Sequence, residues 1–308
     1  MSLSQNENHK HAIEQWNTRP RPHYEHIRVT PLSPALGAEV GGIDLSRELT
    51  PEQLGELKTA IADNLVLVFR DQNVDGEQHK RFVRHFGTLH QHKLATDNSL
   101  TERSHDPEIL AWKTTSQSRF TAGEAWHSDV SCDAEPIWGS VLKVTKTPEI
   151  GGGDTAFANM LLAYETLSDS LKSYLQGLTA IHDGAHAWTR GYGAQPKEGQ
   201  KFPASEHPVV ARHPVNGKPF LFVNAGFTSR IPQLSKTESD ALLQLLFQHI
   251  EQSLILQTRV RWAPGSLVFW DNWATQHHAV WDYYPYERWG ERVSATLGAA
   301  PQAFLDNR

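Results

Sequence analysis

The run Leu65-Val66-Leu67-Val68-Phe69 is apolar at every position, as a strand covered on both faces requires. Shorter segments at 109–113, 139–145, 219–224, 258–262, 266–270 and 292–297 also read as strands. Turn chemistry separates them at Asn216-Gly217, Pro264-Gly265 and Gly151-Gly152-Gly153-Asp154. Helical spacing is confined to a few places. Thr50-Pro51-Glu52-Gln53 carries a capping hydroxyl, a proline at the first helical position and a glutamine at the third. Ser235-Lys236-Thr237-Glu238 is a capping box ahead of Ala241, Leu242, Leu245, Leu246 and Ile250. Further helices are expected around 76–86 and 161–167. Many short strands with helices grouped between them predict a mainly β fold with flanking helices, a barrel or jelly roll. The glycine run lacks the G-x-G-x-x-G spacing and the βαβ surroundings of a dinucleotide site.

The polar stretches between these elements add detail. Residues 1–23 read as a flexible polar arm and 24–308 as a single domain, with lid-like insertions near 93–125 and 183–206. Within them, 93–104 and 183–206 read as long loops. The chain has 308 residues, 39% hydrophobic, enough for a sizeable core. Its net charge of −6, without a basic block, argues against nucleic acid or an anionic membrane as partner. No stretch approaches the roughly 18 consecutive apolar residues of a membrane span, and the N-terminus lacks a signal-peptide core, so a cytoplasmic location is expected. Cys132 is the single cysteine, which excludes an intrachain disulfide and thiolate metal sites. Against it stand 17 histidines, so a bound metal would be held by imidazole and carboxylate.

Trp126-His127-Ser128-Asp129 offers such a pair. On a strand, residues two apart share a face, so His127 and Asp129 could reach a common point. A lone H-x-D is more often two polar residues at a strand edge, and a distant second histidine is needed to make it a site. His277 and His278 supply the candidate, 150 residues beyond His127 when counted to His277. Spacing alone leaves open which of the two it is. Two histidines and a carboxylate on one face of an octahedron leave three positions for a cosubstrate and O2, the facial triad of non-haem Fe(II) oxygenases. Arg288 and Arg292 follow four residues apart, on one face of an extended chain, where guanidinium groups could hold anions. Cys132 lies at an odd offset from Asp129, so it is expected to point away and to pack as an inert thiol.

With these residues in view, the chain resembles the taurine dioxygenase family of Fe(II)/2-oxoglutarate-dependent oxygenases, which includes alkylsulfatases and herbicide-degrading dioxygenases. The resemblance runs from about Ile27 to about Pro301. It is carried by Leu36-Gly-Ala-Glu-Val-Gly-Gly-Ile-Asp-Leu45, Phe69-Arg-Asp-Gln72, Phe86-Gly-Thr-Leu-His90, Trp126-His-Ser-Asp129 and Gly152-Gly-Asp-Thr155. It continues through His207-Pro-Val-Val210, His213-Pro214, Phe222-Val-Asn224, Gly226-Phe-Thr228, Trp270-Asp-Asn272 and Thr275-Gln-His277.

The resemblance implies a double-stranded β-helix (jelly-roll) core. It implies His127, Asp129 and His277 as Fe(II) ligands, and so His277 over His278. It implies Thr155, Arg288 and Arg292 as 2-oxoglutarate contacts, and His92, Phe227, Trp188 and Arg292 as substrate contacts. The implied reaction uses O2, turns 2-oxoglutarate into succinate and CO2, and hydroxylates a small anionic substrate. A sulfonate or alkyl sulfate ester so hydroxylated collapses to an aldehyde plus sulfite or sulfate. Ala95 and Gly123 stand where the taurine pattern has a tyrosine and an amide, which points to a larger or less polar anion than taurine. A carboxylate substrate is the alternative within the same chemistry. A non-catalytic ligand-binding barrel is the alternative outside it. A metal hydrolase would need a general base that the residues near the triad do not offer. Relatives of this kind commonly form dimers or tetramers, so a homo-oligomer is expected.

Overall fold

The continuous apolar run becomes the strand Val66–Phe69, buried at all four positions. The computed structural model describes residues 7–92, 106–119, 121, 123–192 and 199–305. In it this strand sits inside an eight-stranded sheet. It pairs parallel with Ala38–Gly41 on one side and antiparallel with Leu267–Asp271 on the other. The sheet continues through Gly139–Lys146 and Arg288–Thr296 to Thr88–Leu89, and Leu110–Thr114 also pairs with Arg288–Thr296. Burial on both faces explains why Val66–Phe69 and most of Leu267–Asp271 read as unbroken apolar runs rather than alternating ones.

A second layer is built from shorter antiparallel sheets. Thr155–Asn159 lies between Gln257–Val260 and Thr275–Ala279. Thr179–Asp183 lies between Thr228–Arg230 and Ala204–Pro208. The two layers form the double-stranded β-helix, and one buried cluster containing Phe69, Phe157, Phe269 and Trp270 fills the space between them. The helices Pro51–Asn64, Gly76–Arg84 and Lys236–Gln252 cover the outside. Each begins with a reciprocal capping box, from Thr50 and Gln53, Asp75 and Gln78, and Ser235 and Glu238. Among the described residues, no helix is long and apolar enough to cross a membrane.

Two expectations change. The polar arm contains the helix Glu7–Thr18, docked by a buried Trp16 whose indole N–H donates to the Pro34 carbonyl at 3.0 Å. The expected loop 183–206 begins with the helix Gly184–Tyr192 and ends in the strand Ala204–Pro208. Its glycine content hid a helix whose first turn is satisfied by the Asp183 carboxylate, which accepts from the Ala185 N–H at 2.8 Å. The stretch 93–104, including Ala95, lies outside the described residues, as does 193–198.

Candidate active site

His277 sits in the strand Thr275–Ala279, directly opposite Phe157, with Thr155 opposite Ala279. The period of two puts His277, Ala279, Phe157 and Thr155 on one face. His127 reaches the same place through an isolated bridge: its N–H donates to the His277 carbonyl at 3.1 Å, and the His277 N–H donates back at 2.8 Å. Asp129 is not on a strand, as the two-residue parity had assumed. It opens a turn, and Val130 behind it has φ +42°. A β-branched residue in that region stores about 1–3 kcal/mol of strain. The turn also cancels the parity argument for Cys132, which is buried but lines the cavity wall. Burial, then Asp133, pushes its thiol up to about 12, so it is inert as a nucleophile near neutral pH.

The ligating atoms of His127, Asp129 and His277 all lie within 4.8 Å of one another. The His127 Nε2 is 3.6 Å from one carboxylate oxygen of Asp129, and the His277 Nε2 is 3.7 Å from the other. The Nδ1 of His127 lies 2.7 Å from the Ala125 carbonyl. That contact fixes the proton on Nδ1 and leaves the Nε2 lone pair facing the cluster, as a metal ligand needs. Burial alone would raise the Asp129 carboxyl, but Arg292, His277 and His127 outweigh it and hold it well below the usual range. Burial, followed by His127, holds His277 neutral. The neutral His277 ring, the Nε2 of His127 and an ionised carboxylate converging on one point fit a divalent metal of the Fe(II) type.

Gly123 closes over this corner. Its φ is +90°, and a Cβ there would stand 3.0 Å from the His127 ring. The absence of a side chain at 123 is therefore a requirement of backbone and packing as well as a loss of polar contact.

The three groups open into a cavity of about 880 Å³ whose lining includes every residue singled out from the sequence: His92, Thr155, Trp188, Phe227, Arg288 and Arg292. Arg292 forms an ion pair with Asp129 through Nη1. Arg288 is 4% exposed and makes no ion pair among the described residues, and its Nε has no hydrogen-bond partner there. Its guanidinium lies 5.4 Å from the Trp262 ring and 5.9 Å from the Trp112 ring. Burial lowers its pKa, opposed by Tyr283 and Asp154. A buried unpaired cation is costly, so a carboxylate is the group this pocket lacks.

Gly151, Gly152 and Gly153 all have positive φ, and a Cβ on Gly153 would stand 2.8 Å from the Arg288 Cδ. The glycine run thus makes room for the arginine stem before the chain enters Thr155. Trp262 donates its indole N–H to the Thr155 hydroxyl oxygen at 3.0 Å, which leaves that hydroxyl to donate elsewhere. Together these groups offer a guanidinium and a hydroxyl donor side by side, a chemistry that fits a carboxylate such as one end of 2-oxoglutarate. Trp112 meets Arg288 only through strand pairing, and Trp262, expected from the sequence to pack the barrel, also faces the arginine.

Also in the cavity wall, the His92 Nε2 is buried without a hydrogen-bond partner among the described residues. Burial, then Arg292 and His90, pushes its pKa down to about 3, so the ring is neutral. Trp188, on the helix Gly184–Tyr192, packs against Phe202 with ring centroids 5.6 Å apart, and the Phe227 ring lies 6.4 Å from the His127 ring.

A double-stranded β-helix with a His-Asp-His cluster at one end of a deep cavity defines the class of non-haem Fe(II) oxygenases. The chain belongs to the taurine catabolism dioxygenase TauD, TfdA family, whose model matches residues 28–294. Relatives of this chain include alpha-ketoglutarate-dependent dioxygenases. The chain is 35% identical over 269 residues to an alpha-ketoglutarate-dependent sulfonate dioxygenase of Saccharomyces cerevisiae. That match covers 83% of this chain and 63% of the yeast protein, so the chain spans somewhat less than two thirds of that relative. It is 30% identical to an alkylsulfatase of Acinetobacter baylyi, covering 88% of this chain and 85% of that one. Among solved structures, a taurine dioxygenase from Burkholderia xenovorans matches with a TM-score of 0.75 and 31% identity, covering 92% of this chain and 96% of that one.

Proposed function

We propose that the protein is an Fe(II)/2-oxoglutarate-dependent dioxygenase that hydroxylates a small anionic organic substrate, a sulfonate or alkyl sulfate ester. One observation carries the reading: a single cavity has a preorganised divalent-metal corner and, in its wall, a buried arginine without an ion-pair partner among the described residues. In this reading His127 and His277 hold the metal through Nε2 and Asp129 through its carboxylate. Arg288 and the Thr155 hydroxyl anchor the distal carboxylate of 2-oxoglutarate. Bound there, the metal and keto acid supply O2 activation coupled to decarboxylation, giving succinate and CO2.

Arg292 keeps Asp129 ionised and stands where an anionic substrate group would enter. The neutral His92 ring donates one hydrogen bond to that group. Phe157, Trp270 and Leu142 keep water from the cluster side, and Phe227 and Trp188 cover the apolar body of the substrate. The activities of the yeast sulfonate dioxygenase and the bacterial alkylsulfatase support this substrate class. The reading extends to a cytoplasmic homo-oligomer, a dimer or tetramer without nucleic-acid or membrane partners, consistent with the net charge of −6.

The test is a panel of alkyl and aryl sulfonates, alkyl sulfates and aryloxyalkanoates, incubated with Fe(II) and 2-oxoglutarate. Succinate formation matched by sulfite or sulfate release is the expected result. Turnover restricted to the carboxylates would replace the substrate class and keep the reaction. No substrate-stimulated succinate with any of them would refute the proposal.

A further inference from the structure

The turn that carries Asp129 is held in place by a residue that touches neither metal nor substrate. Asn272, fully buried after the strand Leu267–Asp271, grips the Asp129 backbone from both sides. Its Oδ1 accepts from the Asp129 N–H at 2.8 Å, and its Nδ2 donates to the Asp129 carbonyl at 3.0 Å and to the Ile137 carbonyl at 2.9 Å. Its own backbone N–H donates to the Trp138 carbonyl at 2.7 Å. One amide side chain thus fixes both peptide groups flanking Asp129.

The other end of the turn is also tied down. The Ser131 hydroxyl oxygen accepts from the Asn224 Nδ2 at 3.0 Å and contacts the His182 Nδ1 at 2.9 Å. The His207 Nε2 lies 3.0 Å from the Asp133 carbonyl. Between these anchors sits Val130 at φ +42°. Strain of that kind persists only where the surroundings over-determine it.

We infer that Asn272 is a positioning residue, holding Asp129 in the one backbone conformation that aims its carboxylate at His127 and His277, against the preference of Val130 for an extended backbone. The inference rests on the proposed metal role of Asp129. Without the clamp, Val130 relaxes out of the left-handed region and carries the carboxylate away from the two imidazoles. A glycine at 130 has no such preference and tolerates the left-handed conformation.

The experiment measures Mn(II) affinity of the metal-free protein by calorimetry, well below each variant's Tm. The set is wild type, Asp129→Ala, Asn272→Ala, Asn272→Asp, Val130→Gly and the Val130→Gly doubles with each Asn272 variant. Asn272→Asp keeps the acceptor and the volume and loses the donors, so the clamp remains testable if Asn272→Ala does not fold. The Asn272 variants are expected to bind Mn(II) about 10–100-fold more weakly, the usual effect of removing an outer partner of a metal ligand. Val130→Gly is expected to restore roughly tenfold of that loss and to leave the wild-type affinity nearly unchanged.

Two results would overturn the inference. One is an Asn272 variant that binds Mn(II) as tightly as wild type and is merely less stable. The other is a Val130→Gly effect of the same size in both backgrounds. Absence of Mn(II) binding by wild type, or undiminished binding by Asp129→Ala, would instead refute the site reading itself.

Discussion

The two ends of the cavity treat their polar groups in opposite ways. At the metal corner most contacts are already made, the His277 Nδ1 and the Arg292 Nε being exceptions among the described residues. His127 is fixed through Nδ1, Asp129 is gripped by Asn272 and paired with Arg292, and the Ser140 hydroxyl reaches its second oxygen at 3.4 Å. At Arg288 the charge is buried and forms no ion pair among the described residues, with Tyr283 and Asp154 only partly offsetting its burial. The satisfied end is built to hold a geometry, and the unsatisfied end is built to receive a group. The difference separates a ligand set from a recognition pocket without reference to any bound molecule.

The largest expected effect comes from breaking the satisfied end. Asp129→Ala or His277→Ala should abolish Fe(II)-dependent succinate formation, a loss exceeding the about 10–100-fold typical of outer partners. Retained turnover in a rapid assay with added Fe(II) would break the contrast.

Arg288→Met probes the other end and should act with opposite signs on binding and stability. Losing a buried charged contact to 2-oxoglutarate should cost about 2–5 kcal/mol, weakening its apparent affinity on the order of 10²-fold. The ligand-free protein should gain stability, since an unpaired buried cation is replaced by an apolar side chain of similar length. Calorimetry without and with 2-oxoglutarate reads both, and a lower Tm in the ligand-free variant would contradict the unsatisfied pocket.

The scaffold histidines sharpen the contrast through pH. His79 and His182 are fully buried, and burial, aided by Lys143 and His207 respectively, pushes each pKa down to about 3. In the unfolded chain they titrate near 6.5, so the stability from keeping them neutral is complete above that value. It falls between about 6.5 and about 3 as the unfolded state gains protons, at up to about 1.4 kcal/mol per pH unit for each histidine. Denaturant melts of His79→Phe should show a shallower acid-side slope than wild type. An unchanged slope would remove His79 from the account.

Trp188→Ala should produce the smallest change. It is expected to raise KM several-fold for a long-chain or aromatic substrate, by about 1 kcal/mol or more of lost apolar contact. The apparent affinity for the keto acid cosubstrate should stay unaltered. Equal shifts in both would place Trp188 outside the substrate wall.

Much of the catalytic corner could be read from the chain because its chemistry is concentrated in residue identity. An H-x-D, a second histidine far downstream and two arginines four apart mark it, and the fold brings them together. What escaped is carried by backbone shape and cross-strand contact. The left-handed Val130 makes Asp129 part of a turn, which overrode the strand parity that placed Cys132 elsewhere. Asn272 stands inside the motif Trp270-Asp-Asn272, yet nothing in a linear pattern shows that its amide bridges to a residue 143 positions away. The helix Gly184–Tyr192 was hidden by its glycines, and Trp112 meets Arg288 only through the pairing of Leu110–Thr114 with Arg288–Thr296. The strand Val66–Phe69, by contrast, was legible because burial on both faces leaves an unbroken apolar run.

The most direct measurement is an anaerobic titration of the metal-free protein with Fe(II) and 2-oxoglutarate, following the visible charge-transfer absorption of an Fe(II)–keto acid chelate. The account predicts a band that needs both components, saturates at one equivalent of each, disappears in His277→Ala and requires far more 2-oxoglutarate in Arg288→Met. A band that is absent from wild type, or that survives unchanged in His277→Ala, would contradict it.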